Sequence, residues 1–157
     1  MKVRISWLAA AIIAATPVVA QVDLDQAQAC FAEAAQGQGD ALACIDAAQD
    51  ACMDNAQETP AVATLCFNEA QGAWSQALGA RIQQLTTNAD DTLAAVIRIE
   101  TKYDLLGQLM QCDRVEALSV AASGLSGPMI ALQKARCQST ASALTYLQLI
   151  QRARALP

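Results

Sequence analysis

Hydrophobic positions along the chain recur at steps of three and four between short polar turns, a pattern that predicts an all-α protein of about five helices. Asp23 or Asp25 caps a first helix running to about Ala35, and the Gln36-Gly37-Gln38-Gly39 turn ends it. Asp40 caps a second, which carries Leu42, Ile45, Ala48 and Cys52 at helical spacing and closes over residues 55–59. Thr59-Pro60 opens a long third helix, because proline at the first helical position lacks only an N–H that has no helical partner there. Its apolar stripe runs Val62, Leu65, Cys66, Ala70, Trp74, Ala77 and Leu78, and continues through Ile82 and Leu85. Thr86-Thr87-Asn88 interrupts the pattern, and Asp90 and Asp91 suit the positive dipole end of a fourth helix. Its apolar positions include Leu93, Val96, Ile97, Leu106, Leu109, Met110 and Val120, with Gly107 weakening the run. Residues 123–128 form a Ser/Gly/Pro turn, in which Ser126 or Gly127 caps and Pro128 starts a fifth helix through Arg152. No stretch alternates as a strand does.

The first twenty residues follow a different rule. Lys2 and Arg4 precede an apolar stretch from Ile5 to Ala15, and Val18 and Ala20 are small enough for signal peptidase. A secretory signal peptide over residues 1–20 is expected, with cleavage before Gln21 and one domain over residues 21–157. No cysteine stands at the cleavage point, so lipoprotein acylation is not indicated, and a periplasmic or secreted location follows. With Lys2 and Arg4 removed, eight basic residues face fifteen acidic ones, which argues against a nucleic-acid partner. The imbalance is local: residues 21–70 hold nine acidic residues and no Lys or Arg, while residues 114–157 hold five basic residues and one acid, Glu116. Alanine is abundant and aromatic residues are scarce, a composition that favours closely packed helices.

Six cysteines allow fifteen pairings, and the predicted turns select one of them. In an antiparallel hairpin, residues equally far from the turn lie side by side. Cys30 and Cys44 are centred on the first turn, Cys52 and Cys66 on Thr59-Pro60, and Cys112 and Cys137 on the turn at Gly124 and Leu125. Three disulfides between these neighbours would staple an antiparallel helical bundle, with Cys44 and Cys52 linking the first three helices in series. Structural zinc is the rival use of cysteine. It draws on closely spaced pairs such as C-x-x-C, and the chain has none and no histidine, so no metal or other cofactor is expected.

The lack of histidine also removes the commonest general base, and a non-enzymatic role is expected. Asp46, Asp50 and Asp54 follow at four-residue steps and so line one face of the second helix, which reads first as a solvated face and second as a site for a cation, a basic partner or a catalytic carboxylate pair. Trp74 is the single tryptophan after residue 20 and reads first as core, second as a contact.

In layout the chain resembles the LprI-like family of small exported domains associated with lysozyme inhibition. The resemblance runs through Ala29-Cys30, Ala43-Cys44 and Ala51-Cys52 to Cys66, Glu69, Trp74 and Leu78, then through Cys112 and Cys137 about a Gly/Ser/Pro turn. Where the family has W-D-x-x-L-N, this chain reads Trp74-Ser75-Gln76-Ala77-Leu78-Gly79. The resemblance implies a lysozyme-inhibitor-like periplasmic binding protein. With the basic-free stretch of residues 21–70 it leads to the expectation of an acidic surface that meets a basic, lysozyme-like enzyme, with Asp46, Asp50, Asp54 and Trp74 as candidate contacts from their own positions in the chain. The alternative is a structural or adaptor module of the cell envelope without inhibitory activity.

Overall fold

Aspartate begins three of the helices. In the computed structural model, which describes residues 22–38, 40–54 and 56–154, the Asp23 carboxylate accepts from the Gln26 backbone N–H at 2.9 Å and opens α1 (Leu24–Glu33). Asp40 accepts from Leu42 N–H at 2.9 Å and opens α2 (Ala41–Ala48), and Asp90 accepts from Leu93 N–H at 2.8 Å and opens α4 (Asp91–Ala122). Each carboxylate satisfies a backbone donor that the helix itself cannot. Proline sits in the first turn of the other two, α3 (Pro60–Thr87) and α5 (Gly127–Ala153). The architecture is an all-α, disulfide-stapled helical bundle, with no strand among the described residues. The expected signal peptide at residues 1–20 lies outside the described residues.

Two connections differ from the sequence pattern. A π-helical turn over Ala34–Gln38 ends α1, in place of a simple glycine turn. The second helix stops at Ala48, and a 3-10 turn over Asp50–Met53 follows. The reason lies in the hydrogen bonds: Gln49, Cys52, Asp54 and Ala56 each donate to the carbonyl three residues back, so the chain tightens instead of continuing as an α-helix. Cys44 and Cys52 therefore stand on different elements. By contrast Gly107 leaves α4 unbroken.

The structure bonds Cys30 to Cys44, Cys52 to Cys66 and Cys112 to Cys137, with Cα separations of 5.7, 5.4 and 5.6 Å. Helix axes commonly lie ~8–10 Å apart, so these pairs sit where the backbones approach closely. The first bond ties α1 to α2, the second ties the 3-10 turn to α3, and the third closes the α4–α5 hairpin. In that hairpin Gly124 takes the left-handed conformation (φ 66°) that the turn requires.

α5 packs along both α3 and α4 and is the most enclosed helix. At one end of the bundle Phe67 of α3 meets Leu132 and Ala135 of α5, beside Cys52 and Ala56. At the other, Trp74 and Leu78 of α3 meet Ala143, Tyr146 and Leu147 of α5, with Phe31 and Ile45 covering them from α1 and α2. The buried face of α3 is Ala63, Phe67, Ala70, Trp74 and Leu78, while Val62 and Leu65 point to solvent. Alanines form the seam because their small side chains let α3 and α5 approach, and the larger Val62 and Leu65 are excluded from it. Trp74 and Tyr146 pack with ring centroids 5.9 Å apart, and the Tyr146 hydroxyl accepts a hydrogen bond from the Gln28 amide at 2.9 Å.

Replacing Cys52 and Cys66 together by alanine is expected to cost about 3 kcal/mol of stability, from a fourteen-residue separation, measured by urea unfolding of the two oxidised proteins. A second outcome concerns pH. Burial raises the Tyr146 phenol pKa, with the Asp25 carboxylate adding to the shift and Arg81 opposing it. The fold thus holds this proton more tightly than the unfolded chain does, so its contribution is complete below about pH 10 and is lost as pH rises beyond that. Tyr146→Phe should therefore show a smaller fall in thermal midpoint between about pH 8 and about pH 11 than the parent protein.

Candidate interaction surface

Asp46, Asp50 and Asp54 are all exposed, but they do not share one helical face. Asp46 lies on α2, Asp50 opens the 3-10 turn, and Asp54 follows it in extended backbone (ψ 124°). The four-residue spacing loses its meaning where the chain tightens after Ala48. Asp46 is also occupied: its carboxylate accepts from the Arg136 guanidinium at 2.9 Å, across ninety residues of sequence. The basic C-terminal half thus reaches over and neutralises part of the acidic N-terminal segment. Nothing in the linear pattern marks Arg136 as that partner, because the contact exists only once α5 is laid beside α2.

Trp74 leaves the list of candidate contacts. Its accessible surface is 0%, in the seam between α3 and α5, and a side chain so enclosed presents nothing to a partner. Its indole N–H finds no acceptor among the described residues, and its role is packing. Asp50 and Asp54 remain as exposed carboxylates, together with Glu58 just beyond them.

Beside the Asp46–Arg136 pair a cleft of about 440 Å³ opens between α2 and the α4–α5 hairpin. Leu42, Gln108, Val115, Gln133 and Thr140 line it, and the Cys112–Cys137 bond forms part of its wall. Within the same hairpin, Lys134 of α5 bonds Glu116 of α4 at 2.5 Å and Asp113 at 3.2 Å. These bonds, the one to Glu116 foremost, raise the lysine pKa. Neutral amides, one hydroxyl and the Asp46–Arg136 ion pair, set in a largely apolar wall, give the cleft both hydrogen-bond donors and acceptors. Among the described residues no three His, Cys, Asp or Glu side chains gather as a metal site would require, and none of the helices is long and apolar enough to cross a membrane.

These features define a disulfide-stapled all-α protein with an acidic N-terminal segment. Comparison with protein-family models, curated proteins and solved structures finds no match to this chain.

Proposed function

We propose that this chain is an exported, non-enzymatic binding protein of the cell envelope, periplasmic or secreted, similar in role to lysozyme inhibitors. Its acidic N-terminal segment meets a basic partner enzyme. The observation that carries this reading is charge: residues 21–70 contain nine carboxylates and no Lys or Arg, and Asp50, Asp54 and Glu58 stand exposed within it. Opposite charge steers encounter and is weakened by salt. Three disulfides fit an oxidising compartment outside the cytoplasm. The cysteine layout shared with LprI-like domains supplies the class of enzyme.

A structural or adaptor role is the second reading. Ser75 and Gly79 in place of the family's Asp and Asn favour it, since those are the polar residues an inhibitory contact would draw on.

The two readings separate on titration of the purified oxidised protein into basic lysozymes of several classes. Inhibition that fades with added salt, and that weakens when Asp50 and Asp54 are changed together to Asn, is expected. Unchanged lysozyme activity at large molar excess contradicts the inhibitor reading and leaves the adaptor one.

A further inference from the structure

The longest helix of the bundle carries large apolar side chains on the outside as well as on its packed face. α4 packs through the buried Ala94, Ile97, Thr101, Cys112 and Ser119, with Leu93 and Leu105 partly buried against the same core. On the opposite face Val96, Ile99, Tyr103, Leu106 and Met110 follow one another in steps of three and four, all exposed, with Tyr103 at 66%. The same rhythm continues through Asp113 and Ala117 to Val120, which is 70% exposed. This is the a/d period of a left-handed coiled-coil seam, carried over three and a half heptads with one charged position. At 1.5 Å rise per residue the seam is about 36 Å long.

We propose that this face is the interface of a homodimer in which two α4 helices pack antiparallel about a two-fold axis at residue 108. The argument is one of complementarity. In an antiparallel pair each a position meets a d position of the partner helix, and a centre at residue 108 sets Leu106 against Met110, Ile99 against Ala117 and Val96 against Val120, each twice. The Tyr103 hydroxyl then faces the Asp113 carboxylate and has an acceptor. Positions flanking the seam meet their own kind, which brings Glu100 to Arg114 and Lys102 to Glu116, again twice each. Glu100, Lys102 and Arg114 are exposed and form no ion pair within the chain among the described residues. Lys134 is a single cation shared by Asp113 and Glu116, so one negative charge is left over for Lys102.

Gly107 fits the same centre. A Cβ built there meets no atom within 4 Å, so nothing in the chain's own packing asks for glycine at this mid-helix position. About the two-fold axis it faces its own copy, where the absence of a side chain lets the backbones approach. An unrelated partner would need an equally long apolar helix of the same period, with a base opposite Glu100, an acid opposite Lys102 and room at Gly107. A second copy of α4 supplies all of them. The acidic segment of residues 21–70 takes no part, so the dimer stands or falls apart from the proposed function.

Sedimentation equilibrium of the oxidised chain beginning at Gln21 tests the interface. A dimer is expected across the micromolar range. Leu106→Glu and Met110→Glu, both at exposed positions, are each expected to give a monomer with unchanged helical circular dichroism. Glu100→Arg and Arg114→Glu are each expected to weaken association at least about tenfold, and the two together to restore it to within about threefold of the parent. A monomer at every concentration overturns the proposal. So does a dimer that survives Leu106→Glu and Met110→Glu, or a combined charge exchange that fails to rescue.

Discussion

Three disulfides, each closing a hairpin across its own turn, hold helices that alanine lets approach closely but indexes weakly. A seam built from Ala63, Ala70, Ala135, Ala141 and Ala143 has little relief to resist sliding by a turn. Large side chains supply relief at two places only, around Phe67 and around Trp74 with Tyr146. The covalent bonds fix three other registers: α1 against α2, the 3-10 turn against α3, and α4 against α5. The register of α5 on α3 rests on the two clusters of large side chains at its ends, Phe67 with Leu132 and Trp74 with Tyr146.

Much of this was legible in the sequence because turns and caps are local. Asp23, Asp40 and Asp90 announce three helix starts, Pro60 and Pro128 the other two, and cysteines equidistant from a turn name their partners. What was not legible depended on contacts distant in sequence. The spacing of Leu42, Ile45, Ala48 and Cys52 reads as one helix, yet the chain tightens at Gln49 and delivers Cys52 to Cys66 from a 3-10 turn. At the start of α3 the buried face departs from the hydrophobic pattern for a related reason. Hydrophobicity weights Val62 and Leu65 above Ala63, whereas a close helix contact selects the small residue.

The candidate surface shows the same division. Charge asymmetry between the two halves of the chain is a sequence property and survives in the fold as exposed carboxylates at Asp50, Asp54 and Glu58. The supposed aspartate row does not survive, because it required an unbroken second helix. Trp74 is core, and Asp46 is tied to Arg136 by a contact that no linear pattern signals. On α4 the apolar residues divide between two faces: Ile97 turns inward, while Val96, Leu106, Met110 and Val120 turn outward. A long helix with apolar character on both sides is satisfied by one bundle on one side only.

Peptide mapping of the unreduced protein tests the central claim, that hairpin symmetry dictates the covalent frame. The account predicts three linked peptide pairs, joining Cys30 to Cys44, Cys52 to Cys66 and Cys112 to Cys137. Recovery of Cys30 joined to any cysteine other than Cys44 would contradict it.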